Sequence, residues 1–269
     1  MTLPEPDALR VTGLRHAYGE TVAVDGVDLL VPPGEVFGLL GPNGAGKTTT
    51  IRAVTTLLPV PAGTVSVFGI DVALRRMAVR RLIGYVPQLL SADGSLTGRE
   101  NVTLFARLFD VPRRVRRART EEAIEVMGLT DAADRTASTY SGGMVRRLEL
   151  AQALVSSPRL LILDEPTIGL DPVARAGVWE RIATVRADTG MTVLVTTHYM
   201  DEAEQNCDRV ALMHRGRIRA LGTPSALIAG LGGTGDSLDD VFRSYTDAGL
   251  DEGGFRDVRG TRRTARRVG

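Results

Sequence analysis

The sequence predicts an α/β fold: a parallel sheet covered by helices, an antiparallel β layer beside it, and a helical block inserted into it. Three observations predict this. The apolar run Val36-Phe-Gly-Leu-Leu40 enters Gly41-Pro-Asn-Gly-Ala-Gly-Lys47-Thr48 and then a helical stretch, a strand–loop–helix unit. Strands alternate with helices on both sides of that unit, which argues for parallel pairing. Between about residues 71 and 157 the chain turns mostly helical.

In chain order, residues 9–31 read as short strands with turns, the stretch from Val22 to Val31 often alternating in polarity. Pro32-Pro33-Gly34 is a turn into the central strand. The helix after the loop is expected from Thr48 to about Leu58, stopped by Pro59 and Pro61. Gly63 to Phe68 reads as a strand ending at Gly69, and Leu82 to Pro87 as another ending at Gln88. Thr97-Gly-Arg-Glu100 is a capping box, opening a helix with Val102, Phe105, Ala106 and Phe109 on one face. After Pro112, Arg113, Arg114, Arg116, Arg117 and Arg119 start a basic helix, read as a solvated face in preference to a phosphate or lipid contact.

Pro158 ends the helical stretch, and Leu160-Leu-Ile-Leu163 is a strand of the buried type. A helix around Val173 to Ala187, with the single tryptophan Trp179, ends at Gly190. Thr192 to Thr196 is a strand and Met200 to Asn206 a short helix. Val210–Met213 and Ile218–Leu221 form a hairpin about His214-Arg-Gly-Arg217, and Thr223-Pro224 opens a further helix. The expected organisation is one domain over 5–230, with a helical subdomain inserted at about 89–157. An extension follows over 231–250, then an Arg-rich tail over 251–269 with too little apolar material to fold.

The central loop fits G-x-x-x-x-G-K-[ST] position for position through Gly41, Pro42, Asn43, Gly44, Ala45, Gly46, Lys47 and Thr48. Glycines let backbone N–H groups turn inward around an anion, and the helix start adds its positive end. Lys47 can reach β- and γ-phosphates, and the Thr48 hydroxyl can ligate Mg²⁺. Lys47 is the only lysine in the 269 residues, kept where a compact ammonium suits phosphate better than a guanidinium fork. The core is therefore expected to be a P-loop NTPase (RecA-like) core. Asp164 and Glu165 end a strand; the first can hold Mg²⁺ opposite Thr48, and the second is placed to orient or deprotonate an attacking water.

Other residues stay open when read singly. Ser141-Gly142-Gly143 is either a second anion site at a helix start or a serine cap with glycines easing the turn. His198 is a γ-phosphate contact or a capping or buried histidine. Tyr18 stacks on a purine or fills a β core, and Gln88 alone says nothing. A net charge of +1 gives no global electrostatic case for nucleic acid. The one cysteine, Cys207, cannot form an internal disulfide and suits a reducing compartment. No apolar run approaches about 18 residues and no signal pattern opens the sequence, so neither membrane spanning nor secretion by that route is expected.

Taken together and in order, Tyr18, GPNGAGKT, Gln88, YSGGM, LLILDEP, GLDP (169–172) and TTH (196–198) resemble the ATP-binding cassette (ABC) ATPase family over about residues 9–227. The resemblance implies that Tyr18 stacks on adenine, and that Gly44, Gly46, Lys47, Thr48 and Thr49 bind phosphates and Mg²⁺. It implies that Gln88 senses Mg²⁺ and the water while relaying to a membrane subunit, that Glu165 is the general base, and that His198 contacts the γ-phosphate. Ser141 and Gly143 would close over the nucleotide of a second copy, with Asp171 at that interface: a homodimer sandwiching ATP, peripheral to the cytoplasmic face of the membrane. Met144 stands where the most familiar signature has Gln. With Arg146-Arg147-Leu-Glu-Leu, Leu96-Thr-Gly-Arg-Glu-Asn101 and Ser237-Leu-Asp-Asp-Val-Phe242, it looks like the daunorubicin/doxorubicin drug-resistance exporter branch. The rivals are the same ATPase with a lipid, polysaccharide or ion cargo, a soluble repair or translation ATPase, and a regulator that binds ATP without hydrolysing it.

Overall fold

The computed structural model describes residues 6–89, 91–232 and 235–247. β1 (Leu9–Tyr18) and β2 (Thr21–Val31) form one long antiparallel hairpin, not several short strands. Register shifts between Val11 and Leu14 and between His16 and Ala17 interrupt the ladder. Each shift moves the following side chains to the other face, which breaks the alternation on which strand reading depends.

β3 (Val36–Leu40) delivers the chain into the glycine loop and α1 (Lys47–Val54). That helix stops short of Leu58, and the prolines are not what stops it. The Thr55 hydroxyl donates to the Ile51 carbonyl at 2.8 Å, Thr56 takes a left-handed φ of 66°, and the Leu58 N–H returns to the Arg52 carbonyl at 2.8 Å. A left-handed residue closes the helix end. β4 (Val65–Val67) and β5 (Ile70–Asp71), the latter unforeseen, complete a four-stranded sheet in the order β2-β1-β4-β5.

After α2 (Arg76–Arg80) and β6 (Ile83–Val86) come α3 (Gly98–Leu108), α4 (Arg113–Val126) and α5 (Gly142–Leu154), packed on one another. The capping box of α3 is present in both directions between Thr97 and Glu100. Arg113, Arg114 and Arg117 are exposed on α4, as a solvated face requires.

β7 (Leu160–Asp164), α6 (Pro172–Thr189), β8 (Thr192–Thr197), α7 (Met200–Asn206), β9 (Arg209–His214) and β10 (Arg217–Gly222) follow. They build a six-stranded sheet in the order β10-β9-β3-β8-β7-β6, parallel except for β10. Alternate residues of its strands enter different cores. Leu40, Leu161, Leu163, Val193, Val195 and Leu212 pack with the helices. Leu39, Leu160, Ile162, Leu194 and Ala211 pack with α1 and the small sheet. Burial on both faces is why β7 and β8 read as unbroken apolar runs. The register pairs Leu40 with Thr197 and Asp164 with Thr196, so the residues that follow all three strands emerge at one carboxyl edge. Ligands of open α/β sheets bind at that edge.

α8 (Pro224–Ala229) and α9 (Leu238–Asp247) close the described chain. α9 was not foreseen as a helix; Leu238 and Val241 bury into the same core as α5 and α6. The stretch 251–269, expected to be disordered, lies outside the described residues.

Candidate nucleotide-binding site

At Gly41 and Gly46 the loop 41–48 passes so close to other backbones that a side chain is excluded. A Cβ on Gly41 would stand 2.2 Å from the Met213 carbonyl oxygen, and one on Gly46 2.5 Å from that of Ala23. The hairpin turn between β9 and β10 pins the loop: the Gly216 N–H donates to the Ala45 carbonyl (2.9 Å), and the Gly216 carbonyl accepts from the Asp25 N–H on β2 (2.8 Å). Gly216 escaped the sequence reading, its only signal being the turn His214-Arg-Gly-Arg217. Pro42, Asn43 and Gly44 form an exposed rim, Ala45 is buried, and Thr48 and Thr49 are half-buried on the first turn of α1.

Lys47 is 4% exposed. Its ammonium donates to the carbonyls of Gly41 (2.6 Å) and Pro42 (3.3 Å) and lies 3.2 Å from Glu165 Oε1. The other Glu165 oxygen, Oε2, is 3.0 Å from His198 Nδ1. Glu165 has a φ of 52°, unusual for a residue with a side chain. Its N–H donates to the Thr196 carbonyl and hydroxyl at 3.0 and 3.1 Å, which fixes the turn.

Asp164 is fully enclosed and accepts from the Thr196 hydroxyl at 2.5 Å. Burial raises its carboxyl above the usual range, and the Glu165 charge pushes the same way; Thr196, Lys47 and Thr48 pull against them. A carboxylate destabilised in this way is one that a cation would relieve. Among the described residues no group of three or more His, Cys, Asp and Glu is placed to hold a metal. The Thr48 hydroxyl and the Asp164 carboxylate are oxygen donors of the kind a hard cation takes.

Lys47, Thr48, Asp164, Glu165 and His198 thus come together. Ser141, Gly142, Gly143 and Asp171 do not join them: among the described residues, no hydrogen bond or ion pair ties Ser141 or Asp171 to the loop. Ser141 is the exposed N-cap of α5, accepting from the Met144 N–H at 3.3 Å. Asp171 is the exposed N-cap of α6, accepting from Val173 and Ala174 at 3.0 and 2.9 Å. Gly143 lies against α6; a Cβ there would meet the Ala174 Cβ at 2.9 Å. Tyr18 is 48% exposed, edge-on to His16, and fills no core. Gln88 is exposed at the end of β6.

Three buried charged residues near this turn were missed, Arg146, Glu149 and Glu202. Arg146 bonds the backbone around Glu165. Glu202 accepts from the Thr167 hydroxyl (2.7 Å) and the Trp179 indole (3.1 Å), and pairs with Arg175 at 2.9 Å. Arg175 lies over Tyr199, whose ring tilts onto His198, so the turn after Glu165 and the histidine share one support.

The model of the family described as ABC transporter matches residues 24–168. The chain is 50% identical to the daunorubicin/doxorubicin resistance ATP-binding protein DrrA of Streptomyces peucetius, over 84% of this chain and 68% of that one. It is 46% identical to the Nod factor export ATP-binding protein I of Paraburkholderia xenovorans, over 84% and 74% of the two chains. A solved ATP-binding subunit of an ABC transporter superposes with a TM-score of 0.78 at 30% identity, covering 89% of this chain and 99% of that one. cbiO1 from Clostridium perfringens, part of the ABC transporter complex cbiONQ, gives a TM-score of 0.76 at 29% identity, covering 84% and 92%.

Proposed function

The chain belongs to the ABC transporter ATP-binding family, whose members hydrolyse ATP to power transport, and we propose that two copies of it close around two molecules of Mg-ATP. Family members work with membrane transporter subunits. Among the described residues no helix is long and apolar enough to cross a membrane, which fits a peripheral place on the cytoplasmic face, beneath separately encoded membrane subunits.

The observation that carries the reading is the Glu165 carboxylate, held between Lys47 at 3.2 Å and His198 at 3.0 Å on the rim of the loop. A carboxylate there can take the proton of a water attacking a γ-phosphate, while Lys47 and His198 face the transferred group. The phosphates lie in the cradle of Gly44, Gly46, Lys47, Thr48 and Thr49, and Tyr18 stacks on the adenine. Thr48 and Asp164 would hold Mg²⁺, with Gln88 sensing it, and the ion would supply charge neutralisation to the phosphates. Ser141, Gly143 and Asp171 serve the nucleotide of the second copy. The test is light scattering on Glu165→Gln, which keeps the shape of the base and removes its basicity. A dimer that forms only with Mg-ATP is the expected result; a monomer under both conditions would remove the two-copy sandwich.

For cargo, we take export of an apolar drug or antibiotic-like molecule, on the strength of the relative named for daunorubicin and doxorubicin resistance. Relatives named for Nod factor export match almost as well and favour a second reading, in which the same ATPase serves a different cargo. Tolerance of a host strain to a panel of apolar drugs, with and without this chain and its membrane partner, separates the two. Unchanged tolerance throughout sinks the drug reading.

A further inference from the structure

Arg146 is 3% exposed, and all five of its N–H groups are engaged. Nε donates to the Pro166 carbonyl at 2.6 Å. Nη1 donates to the Pro87 carbonyl at 2.9 Å and to Glu149 Oε2 at 2.8 Å. Nη2 donates to the carbonyls of Glu165 at 3.1 Å and Asp164 at 3.4 Å. Glu149 is 2% exposed, and its other oxygen accepts from the backbone N–H and the hydroxyl of Ser91. One buried pair on α5 therefore grips two separate segments. The first is the turn 164–166 that carries Glu165. The second is Pro87 and Ser91, which flank Gln88 in the sequence.

Stability alone does not account for the pair. Two buried charges lose their hydration, and an apolar pair of similar volume is often as stable. What an apolar pair cannot do is hold four carbonyls at set distances. The turn it holds is strained: Glu165 sits at a φ of 52°, a left-handed conformation that residues with side chains rarely adopt. Thr196 takes the Glu165 N–H and Arg146 takes its carbonyl, so both backbone groups of the strained residue are fixed by neighbours. The same helix begins at Ser141.

We propose that Arg146 and Glu149 form a positioning pair for ATP hydrolysis, transmitting movement of α5 at its exposed Ser141 end to the Glu165 turn and the Gln88 segment together. The inference rests on the proposed function, because it presumes that nucleotide is hydrolysed at Glu165 and that the Ser141 end meets a second copy. Arg146 touches no reacting atom in this scheme; it acts through the backbone it holds.

The test uses the full chain and two variants. Arg146→Lys keeps the charge beside Glu149 and loses the fork; Arg146→Met with Glu149→Leu removes the pair but refills its volume. Misplacing a reacting group by about 1 Å can cost on the order of 100-fold in rate. Both variants are expected to lose some stability, because carbonyls that Arg146 bonded are left without a donor, yet to bind ATP within about twofold of the wild type at a temperature where all three are folded. Both should lose about 10- to 100-fold in kcat, with KM little changed. A purely structural pair predicts a lowered Tm with full kcat in both variants wherever they remain folded, and that result overturns the inference. Amide hydrogen exchange over 87–91 is the second measurement, since it needs no turnover. The wild type should gain protection there on adding Mg-ATP, and Arg146→Lys should not; equal responses also overturn the inference. A wild type that binds ATP without hydrolysing it would unseat the proposed function, and exchange would still judge the linkage.

Discussion

Two kinds of helix start meet the solvent at the proposed catalytic face, and they are finished differently. α1 begins at Gly46, with a φ of 109° and no side-chain cap, above a buried lysine. α5 and α6 begin at Ser141 and Asp171, whose side chains cap their own helices and are exposed. A helix start leaves N–H groups without partners unless something supplies an acceptor. At α1 the fold withholds that acceptor, shapes a glycine cradle around the gap and sets a cation beneath it, leaving the place to an anion from outside. At α5 and α6 the acceptor is already present, and no lysine or histidine stands beside it. Under the proposed function, the first half binds nucleotide within one chain. The second, whose Ser141 hydroxyl and Asp171 carboxylate are already turned to their own helices, serves the nucleotide of the other copy.

A matched pair of variants should break the comparison. Lys47→Ala removes the one ammonium under the cradle and leaves Glu165 without its 3.2 Å partner. Loss of a donor aimed at developing charge costs about 100- to 1,000-fold in turnover, and nucleotide binding by the single chain should weaken with it. Ser141→Arg leaves the loop untouched and sets a bulky cation at the open end of α5. A fluorescent ATP analogue should then bind with an affinity within about twofold of the wild type, while turnover falls by about tenfold or more. In the Glu165→Gln background the same change should abolish the ATP-dependent dimer expected in light scattering. Normal turnover in Ser141→Arg would make the second half an ordinary serine cap, the bland alternative that local sequence allows.

The two halves also differed in how far the sequence disclosed them. The loop, the carboxylates after the strand Leu160–Leu163, the strand read to Thr196, and the caps at Thr97 and Ser141 are local patterns: each depends on residues close in the chain, so each could be read. The parallel core followed from strands such as Leu160–Leu163 that alternate with helices. What escaped depends on distant partners. Arg146 and Glu202 look like the solvated charges around them, since nothing in Val-Arg-Arg-Leu-Glu or Met-Asp-Glu-Ala marks one residue as buried. The acceptors of Arg146 are carbonyls up to 59 residues away, and carbonyls have no letter in a sequence. The bulges of β1 and the left-handed Thr56 failed for the opposite reason: a local break in pattern looked like the end of an element or passed unseen. β5 and α9 are short or lie beyond the periodic region, and only packing defines them.

The smallest expected effect sharpens the comparison by asking what the closed half costs when empty of ligand. Burial raises the Asp164 carboxyl above its ordinary value of 3.8, so the folded chain holds this proton more tightly than the unfolded chain. In that case stability falls as pH rises through the interval between 3.8 and the folded value, and stays lower above it. Asp164→Asn keeps an oxygen for the Thr196 hydroxyl and never carries the charge. Without nucleotide, the variant should melt with the wild type near pH 4. By about pH 8 it should melt higher than the wild type. Addition of Mg-ATP should reverse the order, because only the wild type gains from a cation at that carboxylate. A variant that melts lower at pH 8 without nucleotide would mean that Lys47, Thr48 and Thr196 already outweigh the burial. The closed half would then be as self-satisfied as the capped helices opposite, and its demand for a ligand would rest on the uncapped start of α1 alone.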